Sequence, residues 1–120
     1  MHTCIPDALG WACAGADKRT WGNIYWNRLH VGADRWPLQP TLVRVLEEHR
    51  RLQYIFERLP CEDCRRHAKD YYWRNYPKLE RGRLAYAAWM FNFHNSVNRR
   101  LGKPQYPWRA YVSRHPQLTQ

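Results

Sequence analysis

Apolar residues recur at three- and four-residue steps in separate stretches of the chain, and proline or glycine closes the stretches. The clearest runs from Leu42 to Leu59. Leu42, Val45, Leu46, Leu52, Ile55, Phe56 and Leu59 share a face, charges fall between them, and Thr41 is placed to cap the start. This helix is expected to be bundle core without chemistry. An earlier helix is expected over residues 20–33, capped by Asp17 or Thr20, before Trp36-Pro37-Leu38-Gln39-Pro40 breaks the chain into a loop. A third runs from about Cys61 to Asn75 and stops before Pro77. A fourth, about Arg83 to Leu101, carries Leu84, Ala87, Ala88, Phe91, His94, Asn98 and Leu101 along one stripe. Gly102 then stands at the C′ position, with Pro104 just beyond. Residues 1–19, with Pro6, Gly10 and Gly15, show no sustained period and are expected to form a mostly irregular arm. The pattern predicts an all-α protein: a four-helix bundle over residues 20–120 with an additional short C-terminal helical turn.

Two of the predicted helices carry polar residues where a plain core stripe would be apolar. In the first, Gly22, Trp26 and His30 follow at i, i+4 and i+8. Gly22 lets something lie against the backbone, and Trp26 and His30 flank that gap. A packed core face with one buried histidine accounts for the same pattern. In the fourth, His94 and Asn98 stand one turn apart with Asn95 beside them. Buried amides and imidazoles need partners, since an unsatisfied one costs about 1–3 kcal/mol. They bond one another or face a polar ligand.

The stretch Leu59-Pro-Cys61-Glu-Asp-Cys64 changes the picture most. Two cysteines separated by two residues close a small disulfide or grip a metal. Pro60 ends one helix and the next begins at once, so Cys61 sits near a helix start and Cys64 about one turn in. Unpaired N–H groups and the helix dipole favour thiolate there. Arg65 and Arg66 act in the same direction, while Glu62 and Asp63 oppose them. His67 follows three residues later on the same face. A structural zinc site would want a second Cys/His pair at regular spacing, and Cys4 and Cys13 are too loosely spaced to supply it. No metal is expected. A nucleophilic cysteine hydrolase has no third orienting group in view.

Composition sets the outer limits. The 120 residues suit one domain with a single core. The formal charge of +10 invites a nucleic-acid reading, but arginine is spread along the whole sequence and no DNA- or RNA-binding motif accompanies it. A basic solvated surface is the simpler account, and no specific nucleic acid is expected as a partner. No stretch approaches the ~20 apolar residues that cross a bilayer, and the first residues lack the form of an export signal. A cytoplasmic setting is therefore expected. Reducing conditions there make a dedicated oxidase unusual outside virus assembly.

Taken together, Leu59-Pro-Cys61-Glu-Asp-Cys64 and His94-Asn95-Ser-Val97-Asn98-Arg-Arg-Leu101-Gly102-Lys103-Pro104 resemble the FAD-linked sulfhydryl oxidases of the Erv/ALR family. Gly22-x-x-x-Trp26-x-x-Leu29-His30 resembles that family's first-helix signature, and the likeness runs in order from about Trp21 to Tyr111. Trp21-Gly22-x-x-Tyr25-Trp26, Cys64-x-x-His67-Ala68 and the late Trp108 look most like the compact oxidases of large DNA viruses, of the African swine fever virus type.

The resemblance implies a helical bundle with FAD at its mouth. Cys64 would be in contact with the flavin, and Cys61 would exchange with incoming thiols. It further implies electron flow from a dithiol protein substrate or a thioredoxin-like donor, through the cysteine pair and FAD, to oxygen as hydrogen peroxide. Gly22, Trp26, His30, His67, Phe91, His94, Asn95, Val97, Asn98, Leu101, Lys103 and Trp108 would line the cofactor. Trp26 and Trp108 suit stacking on its rings, and Lys103 suits its pyrophosphate. Family members usually pair through their first two helices, so a homodimer is expected. The disulfide that joins the fourth helix to the tail in many cellular relatives has no cysteines here. Cys4 and Cys13 lie on the arm as candidates for a shuttle pair, a structural disulfide or free thiols. Two readings stand beside the oxidase: a flavin-free thiol–disulfide carrier, from the CxxC alone, and a basic nucleic-acid-binding helical module, from charge and aromatics.

Overall fold

The breaks read in the sequence separate five helices among the described residues. The protein, described here by a computed structural model over residues 18–116, runs α1 (Lys18–Asp34), α2 (Leu42–Glu57), α3 (Glu62–Arg74), α4 (Arg83–Arg100) and α5 (Trp108–Arg114). A single 3-10 turn, Leu79–Arg81, precedes α4. Among the described residues there is no strand. The first helix starts at Lys18, two residues before the expected point, and the expected C-terminal turn is the two-turn α5. Cys4, Cys13 and the rest of residues 1–17 lie outside the described residues. Within those described, no helix is long and apolar enough to cross a membrane.

Helix α1 packs along α4 and α2 along α3. Their inner faces supply Leu29, Leu52, Ile55, Phe56, Tyr72, Met90 and Phe93, all fully buried in one core. Thr41 caps α2 as expected, its hydroxyl accepting the Arg44 N–H. Two residues assigned to the core of α2 are not in it: Leu42 is 72% exposed and Leu46 is 50% exposed. At 3.6 residues per turn they sit about a sixth to a quarter of a turn away from the buried Val45–His49–Leu52–Phe56 stripe. Conversely, Glu48 and His49 are buried. Arg51 pairs with Glu48 at 2.7 Å and the Tyr86 hydroxyl donates to it at 2.5 Å, while His49 Nδ1 lies 2.7 Å from the Tyr72 hydroxyl. Partnered in this way, the polar groups are tolerated inside.

Helix α4 has two buried faces rather than the single stripe expected. Tyr86, Met90 and Phe93 enter the main core, with Val97 packed against it. Ala87 and Phe91 form a second cluster with Tyr111 of α5. Leu84 and Leu101, near the two ends of the helix, are exposed rather than part of a buried stripe. The end of α4 closes in a Schellman motif: Lys103 N–H donates to Asn98 C=O at 2.8 Å and Gly102 N–H to Arg99 C=O at 3.2 Å, with Gly102 at φ 71°. At the other end, Gly82 takes φ 99°, and a Cβ there would stand 2.5 Å from the Leu38 carbonyl oxygen. That glycine lets the loop between α1 and α2 lie directly on the start of α4.

Candidate functional site

Pro60 and the two cysteines build the start of α3. Cys61 is the N-cap, extended at φ −109° and ψ 127°, and its Sγ accepts the Cys64 N–H at 3.3 Å. A sulfur thus occupies the position usually held by Ser, Thr, Asp or Asn. Glu62 and Asp63 lie in the first turn, where the helix dipole favours them, and both pair with Arg66 in solvent. Cys64 is half-buried and packs against the main core. The expected thiolate bias does not hold at Cys64, whose thiol is shifted up rather than down. Burial and the neighbouring Cys61 push the Cys64 thiol up, and the Arg100 guanidinium opposes them. Arg65, expected to help, turns instead to the Leu59 carbonyl. The cation that reaches the sulfur is Arg100 of α4, with Nη2 3.7 Å from Cys64 Sγ.

That contact is one rung of a ladder between antiparallel helices. His67 Nε2 lies 2.8 Å from Ser96 Oγ, and Tyr71 packs on Phe93 with ring centroids 5.2 Å apart. The Trp89 indole N–H donates to the Asn75 carbonyl at the far end. Steps of three and four residues on α3 (64, 67, 71, 75) meet the same steps in reverse on α4 (100, 96, 93, 89).

A second polar system joins α1, α4 and α5. His30 Nε2 lies 2.9 Å from His94 Nδ1, and His30 Nδ1 lies 3.2 Å from the Tyr111 hydroxyl. That hydroxyl donates to Asp34, 3.4 Å away, which also pairs with His115 at 2.9 Å. Trp26 stacks flat on His94, centroids 3.5 Å apart and planes 10° apart. Burial drives both histidines to the neutral form: His30 is pushed down to about 3 and His94 to about 4, with the Lys103 charge adding to the effect on His94.

Two clefts flank this system. One, of about 440 Å³, is lined by His30, Phe91, His94, Asn95, Asn98 and Tyr111 among others. The other, of about 770 Å³, is lined by Ser96, Arg99, Gln105, Pro107 and Trp108 among others. Phe91, Asn95 and Tyr106 line both. The sequence pattern of the Erv1/Alr family matches residues 23–116. The chain belongs to the Erv1/Alr family. It is 34% identical over 97 residues to the FAD-linked sulfhydryl oxidase of African swine fever virus, covering 81% of each chain. The crystal structure of the yeast Erv1 core superposes with a TM-score of 0.78 at 29% identity, covering 85% of this chain and 86% of that one. The FAD-binding domain of Erv1 from Saccharomyces cerevisiae gives 0.74 at 30% identity, with 81% and 91% covered.

Against this Erv1/Alr frame the expected site residues fall into three groups. His30, Phe91, His94, Asn95 and Asn98 come together around the smaller cleft, Trp26 stacks on His94, and Trp108 lines the larger cleft, edge-on to Phe91 at 5.0 Å. Cys61, Cys64 and His67 form the α3 side, with His67 bonded to the cleft-lining Ser96. Val97 packs on the main core, while Leu101 and Lys103 are exposed beyond the helix end. Gly22 has open space where a Cβ would stand. Asn95 has a task that the sequence did not disclose. Its amide donates to the Tyr106 carbonyl at 2.9 Å and accepts the Tyr106 N–H at 2.8 Å, pinning the segment that leads into α5.

Sequence reasoning missed Arg100, Tyr25, Tyr106, Tyr111, Asp34 and His115. Arg100 carries a usable signal, for it lies one turn beyond Ser96 on the face that meets Cys64 and His67. Tyr25 is buried close to Cys64, whose charge adds to burial in holding the Tyr25 hydroxyl protonated. The Asp34, Tyr111 and His115 cluster joins residues about 80 positions apart, which no local spacing reveals.

Proposed function

We propose that this protein is an FAD-dependent thiol oxidase that forms disulfides in protein substrates through Cys61 and Cys64. The observation that carries the reading is the cysteine pair at the start of α3, bridged by side chains to the helix that lines both clefts.

The residues present suit a flat, polar-edged cofactor. Each cleft, at about 770 Å³ and about 440 Å³, falls within the usual size of ligand sites. Gly22 presents bare backbone, and Trp26 and His94 offer faces for stacking. The Tyr106 hydroxyl is buried and meets no hydrogen-bond partner among the described residues, although Tyr106 lines both clefts. An orphaned buried hydroxyl is expensive unless a ligand satisfies it. In this proposal Gly22, Trp26, His30, His67, Phe91, His94, Asn95, Val97, Asn98, Leu101 and Trp108 surround FAD, and Lys103 meets its phosphates. Bound FAD supplies the two-electron chemistry between a dithiol and oxygen, with hydrogen peroxide as product.

The chain's own sulfurs carry the exchange. A substrate thiolate attacks Cys61 Sγ of the oxidised pair, the Cys61–Cys64 bond breaks, and its electron pair stays on Cys64 as thiolate. A second substrate thiolate then attacks the substrate sulfur of the mixed disulfide. The substrate disulfide forms and Cys61 is released as thiolate. The N-cap position, ahead of the helix, suits Cys61 to attack from outside, and packing against the core suits Cys64 to the inner role. Neutral His30 and His94 keep the stacking faces uncharged. A homodimer belongs to the same proposal, supported by Val31 on α1 and Leu42, Val43 and Leu46 on α2, all left exposed.

The test is direct. The purified protein is expected to be yellow, with flavin absorbance near about 450 nm, and to consume oxygen with dithiothreitol. Cys61→Ser and Cys64→Ser should each abolish turnover. A preparation that stays colourless after soaking with excess FAD defeats the oxidase reading. Thiol exchange without oxygen uptake then supports the flavin-free carrier, and salt-sensitive DNA binding the nucleic-acid module.

A further inference from the structure

Cys64 is half-buried beneath the start of α3, and the groups around it are unequal. From α1, buried Tyr25 offers a neutral hydroxyl. From the start of α3 come Cys61, the N-cap whose Sγ accepts the Cys64 N–H, and His67, which burial keeps deprotonated. Against the thiol, burial and Cys61 both disfavour charge. The one cation in contact with the sulfur, among the described residues, is Arg100, 3.7 Å away from the last turn of α4. Its position is not incidental, because the rung above it, His67 to Ser96, fixes the register of the two helices. The neighbouring α3 arginines are engaged elsewhere: Arg65 on the Leu59 carbonyl, and Arg66 on Glu62 and Asp63.

We propose that Arg100 is a catalytic residue of the thiol exchange: its guanidinium contacts Cys64 Sγ and stabilises the charge that collects there when the Cys61–Cys64 bond breaks. The assignment rests on the reading in which Cys61 is attacked and Cys64 leaves. Leaving-group thiols depart faster as their thiolate is stabilised, so the gain falls on the attack by substrate at Cys61. The thiolate that remains is also the form able to react onward. A planar, permanently charged guanidinium at the exposed end of a helix suits this task, because no proton has to be supplied or removed.

The experiment uses the full chain with Cys4, Cys13 and Cys61 replaced by Ser, so that Cys64 is the sole thiol. Its alkylation rate with iodoacetamide is followed from pH 6 to 10 (roughly the thiol range) with Arg100, Arg100→Lys or Arg100→Gln. With Arg100→Gln the midpoint is expected to rise, and the rate at neutral pH to fall about fivefold, as a water-exposed charge at contact distance allows. Arg100→Lys should recover most of the rate. Raising the salt concentration should move the Arg100 protein toward the Gln variant while leaving the latter unchanged. Because Arg100 is exposed, its replacement leaves the core packing in place, and circular dichroism verifies the fold. Identical pH profiles for Arg and Gln overturn the assignment, as does a Lys variant that behaves like Gln. Flavin content is read separately on the wild-type protein. A colourless preparation with the expected alkylation shift removes the oxidase reading and leaves the Arg100 contact standing. A yellow preparation without the shift does the reverse.

Discussion

His30 Nε2 lies 2.9 Å from His94 Nδ1, tying α1 to α4 beside the smaller cleft. Only one of the two nitrogens donates, so at least one ring is neutral, and burial makes both so. In the unfolded chain both titrate near 6.5, whereas in the fold they are pushed down to about 3 and about 4. The folded protein therefore binds fewer protons in that interval. The stability tied to these neutral rings is fully present above about pH 6.5 and is lost as pH falls through about 4 and about 3. His49 and His67, also lowered by burial, act in the same direction, while Asp34, raised by burial, opposes them. The melting temperature should fall steadily from pH 7 to pH 4. His94→Asn should flatten that slope, and an unchanged slope would show that the pair titrates like exposed imidazole.

The two glycines with positive φ separate backbone strain from collision. Gly102, at φ 71°, has open space where a Cβ would stand, so Gly102→Ala should cost only the left-handed conformation, about 1 kcal/mol. Gly82, at φ 99°, adds a contact 2.5 Å from the Leu38 carbonyl oxygen. Gly82→Ala should cost at least about 2 kcal/mol and displace the loop between α1 and α2. Equal melting temperatures for the two variants would mean that the loop yields without cost.

Asp34 anchors α5 through two partners, the Tyr111 hydroxyl and His115. Asp34→Ala removes both and should destabilise the fold by about 1–2 kcal/mol, lowering the melting temperature by roughly 4–8 °C per kcal/mol. Asp34→Asn keeps an acceptor for Tyr111 and should lose less. Limited trypsin digestion after Arg109 and Arg114 reports on α5 directly, and should be faster for the Ala variant than for the Asn variant.

The helices were legible because each carries its own punctuation: Thr41 at one start, Pro60 and Pro77 between elements, and Gly102 at an end. The cleft was legible for a different reason. Residues such as His94 and Asn98, polar along an otherwise apolar stripe, share one helix, so spacing alone brings them together. What could not be read depends on partners distant in sequence. Glu48 looks like a surface charge paired with Arg51 three residues on, until the Tyr86 hydroxyl of α4 encloses it. Helix α4 carries no single apolar stripe because it serves two neighbours, the main core through Met90 and Phe93 and α5 through Ala87 and Phe91. Arg100 counted only as part of a diffuse positive charge until the antiparallel register set it against Cys64.

The apolar flank of α2 gives the last prediction. Leu42, Val43 and Leu46 are 72%, 63% and 50% exposed, although they sit on a helix whose other face is fully buried. Three neighbouring aliphatic side chains in water represent surface that association would remove, at about 25 cal/mol per Å². If this flank joins two copies, a carboxylate at its centre must be desolvated on both sides of the interface, which is costly without a partner. Leu42→Asp combined with Leu46→Asp should therefore convert a dimer to a monomer in sedimentation equilibrium. Neither residue touches the core, the cysteines or the clefts, so the melting temperature and any flavin absorbance should change little. A variant that sediments as the wild type does would locate the contact elsewhere, or show that the protein acts as a single chain.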